Sequence, residues 1–397
     1  MKTIVFLTGS YFPDHSAVSN CIERVILKLE NSFKVIVICP QTDKNQPLTE
    51  VHNNHKIIRF SYKNMDNKLV RRMKRIFNKY SLLDDLINGY LNEIEKIDTI
   101  DTIVPAVMPF ETAIASYKAK EKNYELKVVP FMFDPFSNNS NLHYHKLLKK
   151  IKMKNLLEIE SFLIESSHYL LLIHHLKQHF IKKHHSNKEK YVFVEHPLFE
   201  KDFYDLDTNI NKKDIKIVYT GSFYKKIRNP EYFLKVMSNV IKKNENIYLH
   251  IYSFGDCKKI IKKWSEDNTK ITDHNSVTSD IAREKMRTSD ILIGVGNSTS
   301  SQTPSKIFEY ISFKKKILYF IKDKNDRNIE ILKKYPYALL IEESNKNLDE
   351  VSDEINKFIE KTSVNNTEID EKINQIFKDA SPNYIADIIK RNINLKD

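Results

Sequence analysis

Two loops of the chain combine residue types suited to gripping a phosphate. Lys225, Lys226 and Arg228 sit together just after an apolar run that ends in Gly221-Ser222. A guanidinium can hold phosphate through two parallel N–H donors, and a lysine acts on it as a point charge. Arg228 is therefore the first choice for a diphosphate, with Lys225 or Lys226 beside it. The second loop is Gln302-Thr303-Pro304-Ser305-Lys306. Thr303 suits an N-cap, and Pro304 fits the first helical position, where a missing N–H costs nothing. Free N–H groups, the Ser305 hydroxyl and the Lys306 ammonium favour an anion there. Glu309 lies four residues beyond Ser305 on the same helical face, where a carboxylate suits a sugar diol. The plainer account is a capped helix and a solvated lysine cluster. Taken together, the two loops point to a nucleotide-sugar site.

Further candidates lie in the first half. The loop Thr8–Pro13 follows the first strand and should face a ligand, with Ser10, Tyr11 and then Ser16 nearby; it lacks the GxGxxG pattern of a nicotinamide or flavin site. Asp134, in FMFDPFSNN, follows another apolar run and is a candidate base, with an Asp–Pro turn as the competing account. Glu111, in MPFET, is a weaker candidate of the same kind. No second carboxylate pairs with either, so a glycosidase is not supported. His175 and His179 have helical zinc-binding spacing, but no glutamate follows in the HExxH manner; a solvated helix face is preferred, and no metal site is assigned. In Asn67–Tyr80, Leu69, Val70, Met73, Ile76, Phe77 and Tyr80 share one side, and six cations with no acid fill the rest. Such a helix suits an anionic membrane surface, or else packs on its own domain.

The elements that must position these residues are short apolar runs alternating with amphipathic stretches. Strands are predicted at Lys2–Leu7, Lys34–Ile38, Lys56–Phe60, Ile100–Val104, Lys127–Met132, Tyr169–Ile173 and Tyr191–Val194. A polar run without periodicity, Glu200–Asp214, reads as a linker. The pattern then restarts with strands at Ile215–Tyr219, Ile247–Tyr252, Ile291–Val295 and Tyr337–Ile341, and the tail from Leu348 is helical. Buried strands separated by helices predict parallel sheets, here two Rossmann-like halves in tandem. The 397 residues suffice for two cores, and 41% hydrophobic with 29% charged residues describes a globular chain. The net charge of +12 is spread through a Lys- and Asn-rich composition, and no nucleic-acid motif accompanies it. Cys21, Cys39 and Cys257 are few and unpaired in spacing, which fits a reducing cytoplasm. The apolar start Ile4–Leu7 is too short for a signal peptide and reads as a strand.

GSFYKKIRNPEYF at Gly221–Phe233, SDILIGVGN at Ser289–Asn297 and QTPSKIFEY at Gln302–Tyr310, in that order, resemble the donor half of GT-B glycosyltransferases of the family 4 type. IVFLTGSYFPD, FMFDP and EHP at Glu195–Pro197 are similar to the acceptor half. The resemblance implies two Rossmann-like domains facing a cleft: residues 1–199 for the acceptor, a linker at 200–213, residues 214–378 for the donor, and a C-terminal helix at 379–397 packing back on the first domain. It implies catalytic roles for Arg228 and for Lys225 or Lys226, beside Asp134 from its place after a strand. Donor contacts would come from Gly221, Ser222, Arg228, Gln302, Thr303, Pro304, Ser305, Lys306 and Glu309, and the strand-end loops would add acceptor-side contacts from Ser10, Tyr11, Ser16 and Glu111. The substrate would be a nucleotide-diphospho-sugar, with no metal or other cofactor and no nucleic acid. The acceptor would be a glycan or a lipid-linked molecule in surface polysaccharide synthesis, with retention of configuration. The location would be cytoplasmic, at the inner face of the cell membrane. Many relatives carry a glutamate eight residues before Glu309, where this chain has Ser301. That departure favours one alternative, a degenerate subunit that binds a partner or glycan; a nucleotide-sugar epimerase on the same architecture is the other, and it would need cleft carboxylates and histidines that the sequence does not assign.

Overall fold

The computed structural model describes residues 1–63, 65–139, 146–200, 214–298, 306–361 and 367–394. The chain divides into two compact units: Met1–Pro197 with Asp379–Asp397, and Leu198–Lys378.

In the first unit, β1 (Thr3–Leu7), β2 (Lys34–Pro40), β3 (Thr49–His52), β4 (His55–Phe60), β5 (Thr102–Pro105) and β6 (Lys127–Val128) form a sheet in the order β3-β4-β2-β1-β5-β6. All neighbours are parallel except β3 against β4. A three-stranded parallel sheet, β7 (Phe131–Met132), β8 (Leu170–Ile173) and β9 (Tyr191–Val194), continues the pattern. The expected single strand Lys127–Met132 is thus two strands in two sheets. Pro130 separates them, because it has no N–H to give to a ladder; its carbonyl still accepts from Leu171. The helices here are α1 (Ala17–Ile26), α2 (Lys68–Phe77), α3 (Asp84–Ile94), α4 (Glu111–Lys122), α5 (Lys146–Ser166) and α6 (Lys177–Lys183). Every residue of β1 is buried, as expected of a central parallel strand covered on both faces. The last helix, Pro382–Asn394, packs on α1.

In the second unit, β10 (Ile215–Phe223), β11 (Ile247–Gly255), β12 (Ile271–Asp273), β13 (Ile291–Val295), β14 (Lys316–Ile321) and β15 (Ala338–Glu342) are all parallel, in the order β12-β11-β10-β13-β14-β15. This is the doubly wound 3-2-1-4-5-6 arrangement, whose ligands lie beyond the strand ends where the order reverses. Here that point lies between β10 and β13. The helices that bear on it are α7 (Glu231–Lys243), α8 (Lys258–Asp267), α9 (Ser279–Arg287) and α10 (Lys306–Ser312). Trp264, the only tryptophan of the chain, packs from α8 on this unit's core.

Candidate active site

In the second unit, β10 and β13 run side by side, so the loops leaving their carboxyl ends meet. Arg228 reaches from the first loop to Asn297 in the second: Nε and a terminal nitrogen donate to Asn297 Oδ1 at 3.2 and 2.8 Å, and the other terminal nitrogen lies 3.3 Å from the Ser222 carbonyl. The backbone joins the loops as well, with Ser298 N donating to Ile227 O at 2.7 Å and Ser298 Oγ to Lys226 O at 2.8 Å. Gly221 makes the approach possible. Its φ of 152° is one that residues with side chains rarely adopt, and a Cβ there would lie 3.0 Å from the Tyr219 hydroxyl.

Lys306, at the start of α10, donates to Thr220 Oγ1 at 2.9 Å, and Tyr310, one turn later, donates to the Thr220 carbonyl at 3.2 Å. Burial lowers the Lys306 pKa, Glu309 works against that, and the Arg228 charge adds to the lowering. Arg228, Lys306, Gly221 and Thr220 line one cavity of about 50 Å³, together with Tyr319 and Asn328. That is room for little more than a phosphate group beside its own ligands. Glu309 is buried, with its carboxylate 3.9 Å from Arg283 of α9. Lys225 and Lys226 are exposed and do not line the cavity; the Lys225 N–H binds Asp256 Oδ1 at 2.8 Å. Gln302, Thr303, Pro304 and Ser305 lie outside the described residues.

In the first unit, the reversal between β1 and β5 opens into a cavity of about 660 Å³. Gly9 lets the β1 loop approach the β5 loop: a Cβ there would stand 2.6 Å from Pro109 Cδ. Ser16 lines the cavity and caps α1, accepting from Ser19 N at 3.1 Å while Ser19 Oγ accepts from Ser16 N at 2.6 Å. Asp134 lines it too, 3.8 Å from His175 Nε2. Three acceptor-side expectations need correction. Tyr11 is buried, with its hydroxyl 3.0 Å from His55 Nε2, and it belongs to the core rather than to the cavity wall. Glu111 is fully buried and holds structure together, accepting from Leu83 N at 3.0 Å and pairing with Arg75 at 2.8 Å. Ser10 does not line the cavity either.

The basic wall of this cavity is a face of α2: Lys68, Arg71, Arg72 and Arg75 all line it. Polar contacts hold α2 in place. Besides Arg75–Glu111, Lys152 of α5 donates to the carbonyls of Arg75 at 3.0 Å and Ile76 at 2.7 Å, satisfying orphan acceptors at the helix end. No residue of α2 is buried, and Leu69, Met73 and Phe77 are exposed on one stripe away from the cavity. The rest of the apolar side, Val70, Ile76 and Tyr80, is half-buried, and Tyr80 packs on the unit's core, so the side is divided between solvent and its own domain.

The histidine region also differs from the solvated face expected. Glu160 of α5 is fully buried and takes His179 Nε2 at 3.0 Å, His184 Nε2 at 3.2 Å, the Ser137 hydroxyl at 2.7 Å and Ser137 N at 3.0 Å. Burial alone would raise its pKa, but the hydrogen bonds from His179 and His184, the charge of His179 and the Ser137 N–H outweigh that and hold it down at about 2. Glu160, His179 and His184 are the one group among the described residues with metal-ligand spacing. The same contacts clamp the segment that carries Asp134. Asn297, Thr220 and Glu160 were invisible to motif and periodicity; the first follows GVG and the second precedes GS, which is the only local signal either carries.

No protein-family model and no curated protein matches the sequence. Solved structures do match along the whole chain. An E. coli trehalose-6-phosphate protein bound with UDP-2-fluoro glucose aligns at a TM-score of 0.59 and 9% identity, covering all of both chains. WaaG, a glycosyltransferase involved in lipopolysaccharide biosynthesis, aligns at 0.54 and 11%, covering 97% of this chain and 99% of that one. The chain has the GT-B glycosyltransferase fold. A trehalose-6-phosphate synthase from a study of glycosyl transfer with retention aligns at 0.60 and 9%, with 98% of each chain covered. At these identities the GT-B likeness is one of fold, and function rests on the sites. Among the described residues no helix is long and apolar enough to cross a membrane.

Proposed function

We propose that this GT-B protein is a glycosyltransferase that moves a sugar from a nucleotide-diphospho-sugar to an acceptor held by its first unit. The observation that carries the reading is the convergence of Arg228 and Lys306 on one small cavity at the strand-order reversal of the second unit. In the reaction the bond from the anomeric carbon to the diphosphate oxygen breaks, and a bond from an acceptor hydroxyl oxygen to that carbon forms. The leaving diphosphate takes the electron pair. Arg228, Lys306 and the N-terminal end of α10 would stabilise the charge building on it, so the chain's own cations supply what a metal would otherwise provide. Asp134 would take the acceptor proton, with His175 beside it to steady the carboxylate.

Retention of configuration, with the acceptor hydroxyl entering on the face that the diphosphate leaves, is proposed from the family resemblance and from the neighbour studied for retention. The UDP-sugar complex of another neighbour supports a nucleotide-sugar donor, and the lipopolysaccharide glycosyltransferase supports a role in surface glycan assembly. We further propose that the exposed stripe Leu69, Met73 and Phe77 rests on an anionic membrane, which the +12 charge would attract. Cytoplasmic placement at the inner membrane face follows from the same proposal.

Calorimetric titration with UDP and GDP, then assay of donor hydrolysis with and without EDTA, tests the enzyme reading. Nucleotide binding with EDTA-resistant hydrolysis is expected, and no binding at millimolar nucleotide sinks it. Ser301 in place of a glutamate is the observation on the side of a non-catalytic subunit; nucleotide binding without hydrolysis or transfer would select that reading.

A further inference from the structure

The charge on the first unit's cavity is more than a neutral sugar needs. Four cations line it, and Asp134 is the only acid among the lining residues. Glu111 answers Arg75 from behind the wall. Among the described residues no carboxylate pairs with Lys68 or Arg71. Arg71 donates at 3.3 Å to the Tyr62 hydroxyl, a neutral acceptor that also lines the cavity. Hydroxyl groups of a neutral glycan offer poor acceptors to such a set. Phosphate oxygens fit it, because each can accept from a guanidinium while the charge is neutralised. The sequence of α2 contains no acid that would compete.

We infer that the acceptor of this enzyme carries a phosphate or diphosphate, and that Lys68, Arg71 and Arg72 of α2 bind it in the first unit's cavity. The inference rests on the glycosyltransferase reading for the word acceptor, but not for the anion site itself. The phosphate fixes the acceptor at the α2 wall. Asp134, on the same cavity, is then left to meet a hydroxyl. This division separates binding from proton transfer within one cavity.

The test uses the full chain saturated with UDP or GDP, so that the second unit is occupied. It is titrated by calorimetry with glucose 6-phosphate, farnesyl diphosphate and glucose. The phosphate compounds should bind and glucose should not. Arg71→Gln and Arg72→Gln should each weaken binding about tenfold or more. Preference for the sugar phosphate assigns a soluble phosphorylated acceptor; preference for the prenyl diphosphate assigns a lipid-linked one. Equal binding of glucose, or wild-type affinity in both variants with unchanged circular dichroism, overturns the inference. If neither UDP nor GDP binds, the enzyme reading fails, and the same titration without nucleotide still decides the anion site.

Discussion

The two strand-order reversals of this chain are built alike and finished differently. In the second unit the cavity is about 50 Å³, and its cations already have partners: Arg228 on Asn297, and Lys306 on Thr220. In the first unit it is about 660 Å³, and its cations sit on one helix, where Arg71 meets the Tyr62 hydroxyl and Arg75 meets Glu111. Cations bonded to neutral oxygens are held in place before a ligand arrives, and a diphosphate has only to exchange one acceptor for a stronger one. A cation without a carboxylate partner, as Lys68 is among the described residues, must take its order from the ligand, so the charge of the ligand becomes the selector. The first arrangement suits a constant group such as a diphosphate. The second suits discrimination among acceptors.

The largest effect we expect comes from the first unit. Glu160→Ala leaves two histidines and Ser137 without their shared acceptor and should cost about 3–5 kcal/mol in urea unfolding. The acid side of the same prediction follows by linkage. A carboxyl held at about 2 instead of 4.5 stabilises the folded state above the ordinary value. That stability, about 3 kcal/mol, is lost as pH falls from near 4.5 toward 2. An unfolding series with no extra acid sensitivity relative to Glu160→Ala would break the assignment.

Next is Arg228→Ala, expected to weaken UDP or GDP binding about 10- to 100-fold by calorimetry. Asn297→Ala should cost less, because it removes the support and keeps the cation; equal losses would show that pre-positioning, rather than charge, dominates. Gly221→Ala should destabilise the protein by about 1–3 kcal/mol, since its φ of 152° is one that a side chain opposes. Smaller again is a pH effect on the nucleotide. The lowered Lys306 pKa means that its charge is lost at a lower pH than an ordinary lysine's. Nucleotide affinity should therefore fall on the alkaline side, and Lys306→Arg should remove the fall. Least of all, Leu69→Ser with Phe77→Ser should leave stability within about 0.5 kcal/mol, while reducing pelleting with phosphatidylglycerol vesicles.

Local rules read the second unit well. The run Ile291–Val295, the helix containing Ile307, Phe308 and Ile311, and the strand after it are each determined by residues adjacent in sequence. Arg228 was legible because it follows a strand end, where parallel sheets present their loops. Its partner Asn297 was not, since side-chain pairing across 69 positions leaves no periodic trace. The stretch Asn67–Tyr80 shows the limit of amphipathic patterns. Its two faces were plain, but periodicity cannot say which one turns inward. Here Arg75 is drawn inward by Glu111, Lys152 holds the helix end, and Val70, Ile76 and Tyr80 are half-buried beside exposed Leu69, Met73 and Phe77. Glu160 was hidden for a related reason: a glutamate in a lysine-rich helix looks solvated until three distant donors converge on it.

Trp264 gives the chain a built-in reporter. Because it is the only tryptophan and packs on the core of the second unit, selectively excited indole emission follows that unit alone. Melting or acid titration watched by emission and by circular dichroism together would therefore separate two transitions in the unmodified protein. The loss of the Glu160 clamp should register in ellipticity and remain dark in fluorescence.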